Sequence, residues 1–548
     1  MSQSFFVFFC SCFQPCRLLY IFITMTYLIV PIAAKNPEQA RGQIKAALAG
    51  GAEMLELRTD YLESLCVDLV KNLIADVKTA GDKPRPVIVT CRDKQQGGQI
   101  EYPDKLRVDV LCSALRAGAE FIDFEYDNFL STDNQERIRL ALSQSSRGRL
   151  ILSAHNFKTK FDNISKLHRD ILSVCPGTIP KLVYTANHIN DCFEAFDLLH
   201  RSSDQRIVFC MGAAGLISRI IAKKLGSLVT FASINDESAT APGQLTIEQL
   251  KKLYRYDYIN TDTELFGVIA DPVGHSLSPA IHNACFSEKS MNKLYLPLLV
   301  EGDKHEFDLF MHNVTRRKWL NFEGFSVTIP HKQNALAYVW ANQGFVEPLA
   351  EKIGAVNTIV IGAGGKLKAD NTDYSAALDA ITVTLKINRA DLRDLPVAVI
   401  GAGGVARAIV AGLSDAGANI KIYNRTVERA EKLAGEFNCD FAPLDDLAGL
   451  DAKLLINCTS IGMHPNVEAT PVPKEYLKRA MAVFDTVYNP ARTLLLKEAK
   501  KKRAKTIDGI LMFVNQAMAQ FKLFTGTEGN PELMRKTVSN RLCLPQVE

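Results

Sequence analysis

A lysine inside an apolar run, with a histidine, a glutamate and several arginines near the ends of neighbouring apolar runs, is a set suited to imine chemistry. Lys181 stands in Lys181-Leu182-Val183-Tyr184, His155 in Ser153-Ala154-His155-Asn156-Phe157 and Glu125 in Ile122-Asp123-Phe124-Glu125. Burying a lysine disfavours its charged form, and the neutral amine is a nucleophile able to form a Schiff base with a ketone. His155 would serve as general acid–base, oriented by Glu125. Glu56 and Arg58 end another run and Arg92 follows the next. Arg219 and the stretch Thr240 to Gln244 follow two more. Arg58, Arg92 and Arg219 make a cationic mouth suited to a carboxylate. A single Glu or His at such a place is usually structural, and a buried lysine can simply snorkel. Six successive runs offering ionisable groups near one mouth are hard to obtain by chance.

A second constellation lies downstream. Gly401-Ala402-Gly403-Gly404-Val405-Ala406 follows the apolar run Val397 to Ile400 and fits the dinucleotide pattern G-x-G-x-x-G/A. Gly401 permits the tight turn, Gly403 lets a pyrophosphate approach the backbone, and Ala406 keeps the helix close to the sheet. That helix would aim its free N–H groups at phosphate. Asn424-Arg425-Thr426 stands where an NAD site usually puts an acidic residue on the ribose. Arginine there suits a 2′-phosphate and favours NADP, with a solvated surface arginine as the alternative. Lys332 follows a strand-like run, and Asp373 lies in Asp370-Asn371-Thr372-Asp373. Together they would make a proton-transfer pair beside a ketone being reduced or a hydroxyl being oxidised, or else a surface salt bridge. Ser276 and Ser278, two apart in a Pro- and Gly-bearing loop, could hold a polyol, although serine is common in loops.

These residues need elements to position them. Eight apolar runs occur between Tyr27 and Ala232: 27–33, 53–57, 86–91, 121–124, 150–153, 181–184, 206–211 and 228–232. Helix-like stretches such as 37–49, 68–79, 104–117 and 192–200 separate them. Alternating strands and helices imply a parallel sheet, and eight units in roughly 230 residues match a (β/α)8 barrel. An open doubly wound sheet is the alternative. In a barrel, catalytic groups sit at the C-terminal ends of strands, which is where the ionisable residues fall.

At 548 residues the chain is too long for one core. The expected organisation is a leader over 1–24 and a barrel over 25–258. A substrate lobe over 264–372, completed by 510–548, and a Rossmann-type nucleotide domain over 373–509 follow. The composition, 47% hydrophobic and 23% charged, is that of a soluble globular protein, and a net charge of +4 makes no case for nucleic acid or anionic membrane. The 13 cysteines are scattered, with no zinc spacing and no metal site expected. This suggests reduced thiols in a cytoplasmic compartment. Residues 1–24 make a poor signal peptide and, interrupted by Gln14, Pro15 and Arg17, a poor membrane span. They read as an extension without a folded role, with an anchor or organelle leader as the alternative. Oligomeric state is not legible.

At the level of whole motifs the first half resembles the type I 3-dehydroquinate dehydratases. ELRTDYL, TCRDKQQGG, IDFEYD, SAHNF, PKLVYTAN, GLISRI and TAPGQLT occur in the family's order across about residues 26–255. The resemblance implies Lys181 as the Schiff-base lysine and His155 as general base, with Glu125 holding the histidine. Arg219 and Gln244 would bind the substrate's carboxylate and hydroxyls. Glu56, Arg58, Arg92 and Thr240 complete the expected binding set. Gln96 stands where the family often has Glu before Gly97-Gly98, and Thr240 where many members have Ser.

The second half resembles shikimate dehydrogenase across about residues 265–545. SLSPAIHN, VTIPHK, GAVNT, NTD, GAGGVARA, NRT, NCTSIGM, DTVYNP and DGILMFVNQA occur in order. This implies a shikimate site lined by Ser276, Ser278, Thr328, Asn357, Tyr488 and Gln516, with Lys332 and Asp373 as the catalytic pair. Gly401, Ala402, Gly403, Gly404, Val405, Ala406 and Gly509 would border the cofactor. Asn424, Arg425 and Thr426 would hold the NADP phosphate, with Thr459 and Met463 flanking the nicotinamide. Ala369 and Ala376 stand where relatives often carry Gly around NTD. The two resemblances imply consecutive steps: dehydration of 3-dehydroquinate to 3-dehydroshikimate, then NADPH-dependent reduction to shikimate. A quinate-preferring, NAD-using enzyme and a non-catalytic regulator are the rivals. Arg425 and the retained Lys181, His155 and Lys332 argue against them.

Overall fold

Successive side chains on a strand point to opposite faces, and this alternation builds both the core and the polar centre of the first half. In the computed structural model, which describes residues 26–542 apart from Ala239, Pro242 and His275, eight strands precede the short β9 (Leu245–Thr246). They are β1 (Tyr27–Ile32), β2 (Met54–Arg58), β3 (Val87–Thr90), β4 (Phe121–Glu125), β5 (Arg149–Asn156), β6 (Ile179–Thr185), β7 (Ile207–Met211) and β8 (Val229–Ser233). All pair in parallel, in the order β7-β6-β5-β4-β3-β2-β1-β8-β9. The two ends of the sheet meet where Leu228 N donates to Arg206 O at 2.8 Å. The expectations for residues 1–24 lie outside the described residues.

One buried cluster takes a residue from every strand: Ile29, Met54, Ile88, Phe121, Ile151, Ile179, Ile207 and Val229. The sheet is therefore rolled into a (β/α)8 barrel with an apolar floor. Two residues further along, the same faces carry Glu56, Thr90, Asp123, Ser153 and Lys181. Two further still come Arg58, Arg92, Glu125 and His155. Residues of the other parity, such as Leu28, Val30, Leu55, Ile122 and Phe124, face outward into the helix-packed core. Alternation alone thus stacks polar layers on the floor, towards the mouth. His155 lies on β5 itself rather than after it. β6 pairs on past Ser153, with His155 opposite Val183 and Asn156 opposite Tyr184.

The second half contains two six-stranded sheets. The first has β10 (Glu264–Ala270), β11 (Lys293–Leu299), β12 (Phe322–Val327), β13 (Phe345–Val346), β14 (Thr358–Ile361) and β15 (Leu367–Asp370), in the mixed order β11-β10-β12-β14-β15-β13. The second has β16 (Pro396–Ile400), β17 (Asn419–Asn424), β18 (Asp440–Pro443), β19 (Leu454–Asn457), β20 (Ala482–Asp485) and β21 (Lys505–Ile507). It is wholly parallel, ordered β18-β17-β16-β19-β20-β21. Strand order reverses between β16 and β19, the switch point where open α/β sheets take ligands. Asp508 caps the Gly509–Thr525 helix, whose Val514, Ala517, Phe521 and Phe524 pack on Phe266 and Val268 of β10. Gly324 of β12 admits this helix, since a Cβ there would meet the Phe524 ring at 2.8 Å.

Arg107 ties the Asp104–Arg116 helix to the barrel's polar layers. Only 1% exposed, it donates to the Cys91 carbonyl at 3.0 Å and pairs with Asp93 at 3.0 Å and with Glu125. Its guanidinium lies 5.3 Å from the centre of the Phe124 ring. Arg107→Met would keep the stem but remove one of the two cations on Glu125. Because Arg92 remains, the expected cost is near the lower end for a broken buried pair, about 3 kcal/mol. In a urea titration followed by circular dichroism, the first unfolding midpoint of Arg107→Met should fall below that of the wild type, and an unchanged midpoint would exclude Arg107 as a structural tie.

Candidate active sites

The barrel mouth holds a pocket lined by Glu56, Arg58, Arg92, Gln96, His155, Lys181, Arg219, Thr240 and Gln244, with Phe157, Phe209 and Phe231 as its apolar walls. Every residue expected to bind substrate in this half is there. Lys181 Nζ donates to Asp123 Oδ2 at 2.7 Å, lies 3.7 Å from Glu56 and sits 4.9 Å from the Phe231 ring centre. It is one member of a buried charge cluster, not an isolated amine, and the expectation that burial alone frees it omits these carboxylates. Asp123 also pairs with Arg92 at 2.8 Å and accepts from Ser153 Oγ at 2.7 Å. Burial alone would raise the Asp123 carboxyl, but Arg92 and Lys181 outweigh it and hold the group far below the usual range.

Two expectations need correction. Glu125 does not hold His155: its oxygens accept from Arg92 Nη1 (2.8 Å), from the Asp93 backbone N–H (3.0 Å) and from Arg107. The partner of His155 is Gln96, whose Oε1 lies 3.2 Å from Nδ1. In the β4–β5 register Glu125 lies opposite Ser153, two residues short of His155, and Arg107, reaching in from its helix, takes the carboxylate. Nor are the three arginines equivalent. Arg58 is paired with Asp60 at 2.8 Å, and Arg92 with Asp123 and Glu125. Arg219 alone of the three retains buried donors, Nε and Nη2, without a partner among the described residues, and Gln244 Nε2 is a third. Burial lowers the Arg219 guanidinium to about 10, and it stacks 4.5 Å from the Phe209 ring centre. Three unsatisfied donors in one pocket fit a carboxylate with a neighbouring hydroxyl.

The second site lies at the inner edge of the 264–370 sheet. One pocket brings together Ser276, Ser278, Thr328, Lys332, Asn357, Asp373, Tyr488 and Gln516, which are all the residues expected there. Lys332 Nζ donates to Asp373 Oδ2, and Asn357 Nδ2 donates to Asp373 Oδ1 at 2.9 Å. Tyr488 stacks on Phe513 with ring centres 4.7 Å apart. Gly509, expected beside the cofactor, and Val405 line this pocket as well.

A cleft of about 510 Å³ adjoins it, lined by Ala402, Gly403, Gly404, Lys332, Arg407, Arg429 and Lys432. Gly401 turns with φ +110°, and a Cβ there would press on Thr459 at 3.0 Å. The Gly404–Asp415 helix begins at Gly403 with no side-chain cap, and a Cβ on Gly403 or Gly404 would meet nothing within 4 Å. Uncapped N–H groups facing open space fit a pyrophosphate. Ala406 is fully buried. Arg425 and Thr426 are exposed beyond β17, and Met463 is 45% exposed. Asn424 Nδ2 donates to Thr426 O at 2.8 Å.

Family models match four segments of the chain. Type I 3-dehydroquinase matches residues 28–261 and the shikimate dehydrogenase substrate binding domain 268–359. Shikimate/quinate 5-dehydrogenase matches 383–485 and the shikimate 5′-dehydrogenase C-terminal domain 509–538. A bifunctional 3-dehydroquinate dehydratase/shikimate dehydrogenase of Arabidopsis thaliana, described as chloroplastic, is 35% identical over 528 residues, covering 93% of this chain and 84% of that protein. The chain belongs to the bifunctional 3-dehydroquinate dehydratase/shikimate dehydrogenase family. A shikimate dehydrogenase (NADP+) of Methanosarcina mazei is 43% identical over 288 residues, 51% of this chain and 99% of that protein. A crystal structure of a shikimate dehydrogenase in complex with NADP+ is 38% identical over 52% of this chain and 97% of its own, with TM-score 0.47. Among the described residues no helix is long and apolar enough to cross a membrane.

Sequence reasoning missed Asp123 and Arg107 in the dehydratase half, and Ser326, Gln520, Arg429 and Lys432 in the dehydrogenase half. Asp123 shares the inward parity of Glu125 and was findable from it. Arg429 and Lys432 lie within one helix, Val427–Phe437, and only its docking shows that they face the cleft. In the dehydratase half, burial, reinforced by Arg92 and Lys181, pushes the His155 imidazole well below its ordinary value of 6.5. His155 is thus neutral and basic at neutral pH, so the acid limb of dehydratase kcat/KM should fall below pH 6.5. Gln96 accepts from the ring but carries no charge to favour an imidazolium. Gln96→Glu places a carboxylate there, favours the charged ring and should move that limb to higher pH, with shikimate dehydrogenase activity unchanged. A limb that stays in place in pH–rate profiles would exclude His155 as the titrating base.

Proposed function

We propose that Lys181 forms an imine with the ketone of 3-dehydroquinate and that His155 removes the proton that the imine makes acidic. The single observation carrying this is the set of unsatisfied donors of Arg219 and Gln244 in the same pocket as Lys181 and His155. The substrate carboxylate completes Arg219, which orients the ketone towards Lys181. Attack requires Lys181 to lose a proton, and Asp123 and Glu56 are the carboxylates beside it. With Nδ1–H donating to Gln96, His155 Nε2 is left as the base. Loss of the hydroxyl as water and hydrolysis of the imine return the free lysine and 3-dehydroshikimate.

In the dehydrogenase half the serine pair, Asn357, Tyr488 and Gln516 hold the ring hydroxyls and carboxylate, while Lys332 donates a proton to the ketone oxygen as it becomes a hydroxyl. Asp373, fixed by Asn357, orients Lys332. NADPH would lie along Gly401 to Ala406, its extra phosphate near Asn424, Arg425 and Thr426 with Arg429 and Lys432 adding positive charge, and when bound it supplies the hydride. Thr459 and Met463 would border the nicotinamide. We place the chain in a reducing, cytoplasm-like compartment, a reading supported by nine free cysteines among the described residues.

Borohydride reduction in the presence of dehydroquinate should trap a covalent adduct at Lys181, read by peptide mass spectrometry. Lys181→Ala should abolish both the adduct and dehydration while NADPH-dependent reduction continues. An adduct elsewhere, or none, would exclude this imine mechanism. Asp373→Asn should lower the shikimate dehydrogenase kcat roughly 10²- to 10⁴-fold, the range of general acid–base groups, with the dehydratase unaffected. Steady-state kinetics on both substrates in one preparation distinguishes this outcome from misfolding.

A further inference from the structure

Phe157 closes one side of the dehydratase pocket. Its ring is stacked on the His155 imidazole at 5.9 Å between centres, with 10° between the planes. It also lies over Gly97, where a Cβ would meet the ring at 2.8 Å. The backbone behind it is held by the end of β6 and the segment that follows. Thr185 Oγ1 donates to Phe157 O at 2.9 Å, and Asn187 Nδ2 donates to Lys158 O at 3.2 Å. This segment, 186–191, leaves the strand that carries Lys181. Asp191 secures it from within, accepting from the Asn187 and His188 backbone N–H groups at 3.0 and 3.1 Å.

Its outer side rests on the dehydrogenase half. Asn190 Nδ2 donates to Glu306 Oε2 at 3.0 Å and to Glu306 O at 3.3 Å, and Asn190 Oδ1 accepts from Asn313 Nδ2 at 3.2 Å. His188 lies 3.5 Å from the Glu306 carboxylate and 3.0 Å from the Glu301 carbonyl. Glu306 and Asn313 belong to the Lys304–Thr315 helix. That helix is anchored to the barrel by Arg317, which donates twice to Asp197 at 2.7 Å and bonds Asn313 Oδ1 at 2.8 Å.

We propose that Glu306, in the dehydrogenase half, is a positioning residue for the dehydratase, acting through Asn190 and the 186–191 segment on Phe157 and so on His155. The contacts run from Glu306 on its helix to Asn190, through the 186–191 segment to Lys158 O beside Phe157, and from the Phe157 ring to His155 of β5. Loops at an active-site mouth are the least stable parts of a barrel, so an external support changes how often His155 is aligned. Glu306 lines neither described pocket. The inference rests on the dehydratase reading of the barrel pocket.

The test measures both activities in full-length variants. Glu306→Ala should lower dehydratase kcat roughly three- to tenfold, a size typical of couplings carried through packed contacts. Its KM should change less, and the shikimate dehydrogenase constants should not change. Glu306→Gln keeps an acceptor for Asn190 and should restore most of the loss. Asn190→Ala should reproduce it, and the double variant Asn190→Ala/Glu306→Ala should be no worse than the poorer single one, because both remove the same link. Dehydratase kcat unchanged in Glu306→Ala, a loss shared equally by the dehydrogenase, or strictly additive losses would each overturn the proposal. A wild-type chain that does not turn over dehydroquinate would overturn the dehydratase reading itself, and the proposal with it.

Discussion

Charge neutrality inside a closed barrel is the constraint from which the dehydratase half follows. A buried ion without a partner is costly, and removing one member of a pair strands the other. Glu56, Arg92, Arg107, Asp123, Glu125 and Lys181 are each at most 4% exposed, and their bonds interlock. Three acids face three bases, so the layer is neutral as it stands. Arg219 is the exception: 2% exposed, with two donors lacking partners among the described residues. A carboxylate in the pocket would supply the missing charge. Of the cations lining the pocket, Arg219 is the one without an acidic partner among the described residues, and the balanced set beside it holds Lys181.

The dehydrogenase half meets the same requirement with fewer charges. Lys332 and Asp373 form a single pair, and the other polar side chains of the pocket are hydroxyls and amides. Asn357 serves twice there, donating to Asp373 while its Oδ1 accepts from the Thr372 backbone N–H at 2.9 Å. Gln520, 2% exposed, links this set to the C-terminal helix, donating to Asn357 O at 3.2 Å and accepting from Ser326 Oγ at 2.7 Å. A ketone reduction moves one proton and one hydride, so a single ion pair suffices. The imine route passes through several protonation states at one nitrogen, which a multi-carboxylate environment accommodates.

What was legible in the chain follows this division. Strand periodicity is local, so the eight barrel strands and the inward parity of Lys181, His155 and Arg219's neighbours could be read from short windows. Family motifs carried the pocket-lining residues of both halves to their places. Partner choice was not legible, because it depends on how far side chains reach between elements distant in sequence. Glu125 and His155 share a parity and a mouth, yet Arg107, arriving from a helix, takes the carboxylate, and Gln96, from the loop after β3, takes the imidazole. The position noted only as a departure, Gln96, is the one that touches His155. Similarly Arg425 was visible from the end of β17, whereas Arg429 and Lys432 become cationic walls of the cleft only when their helix docks.

The junction between the halves has the character of a core, not of a tether. One hydrophobic cluster runs from Phe193 and Phe196 of the barrel into Phe307, Phe310 and Phe325 beyond it. His200 stacks on Trp319 at 4.0 Å with 2° between the planes, and Arg317 lies over the Phe193 ring at 4.9 Å while pairing with Asp197. Arg317 is 5% exposed, so removing Asp197 would leave a buried guanidinium without its carboxylate. A linker between independent modules would show small, polar contacts and free relative motion. Here the helix that completes the interface also supports the segment following the Lys181 strand. Fusion thus does more than keep two catalysts at equal concentration: it makes part of one catalyst's scaffold out of the other.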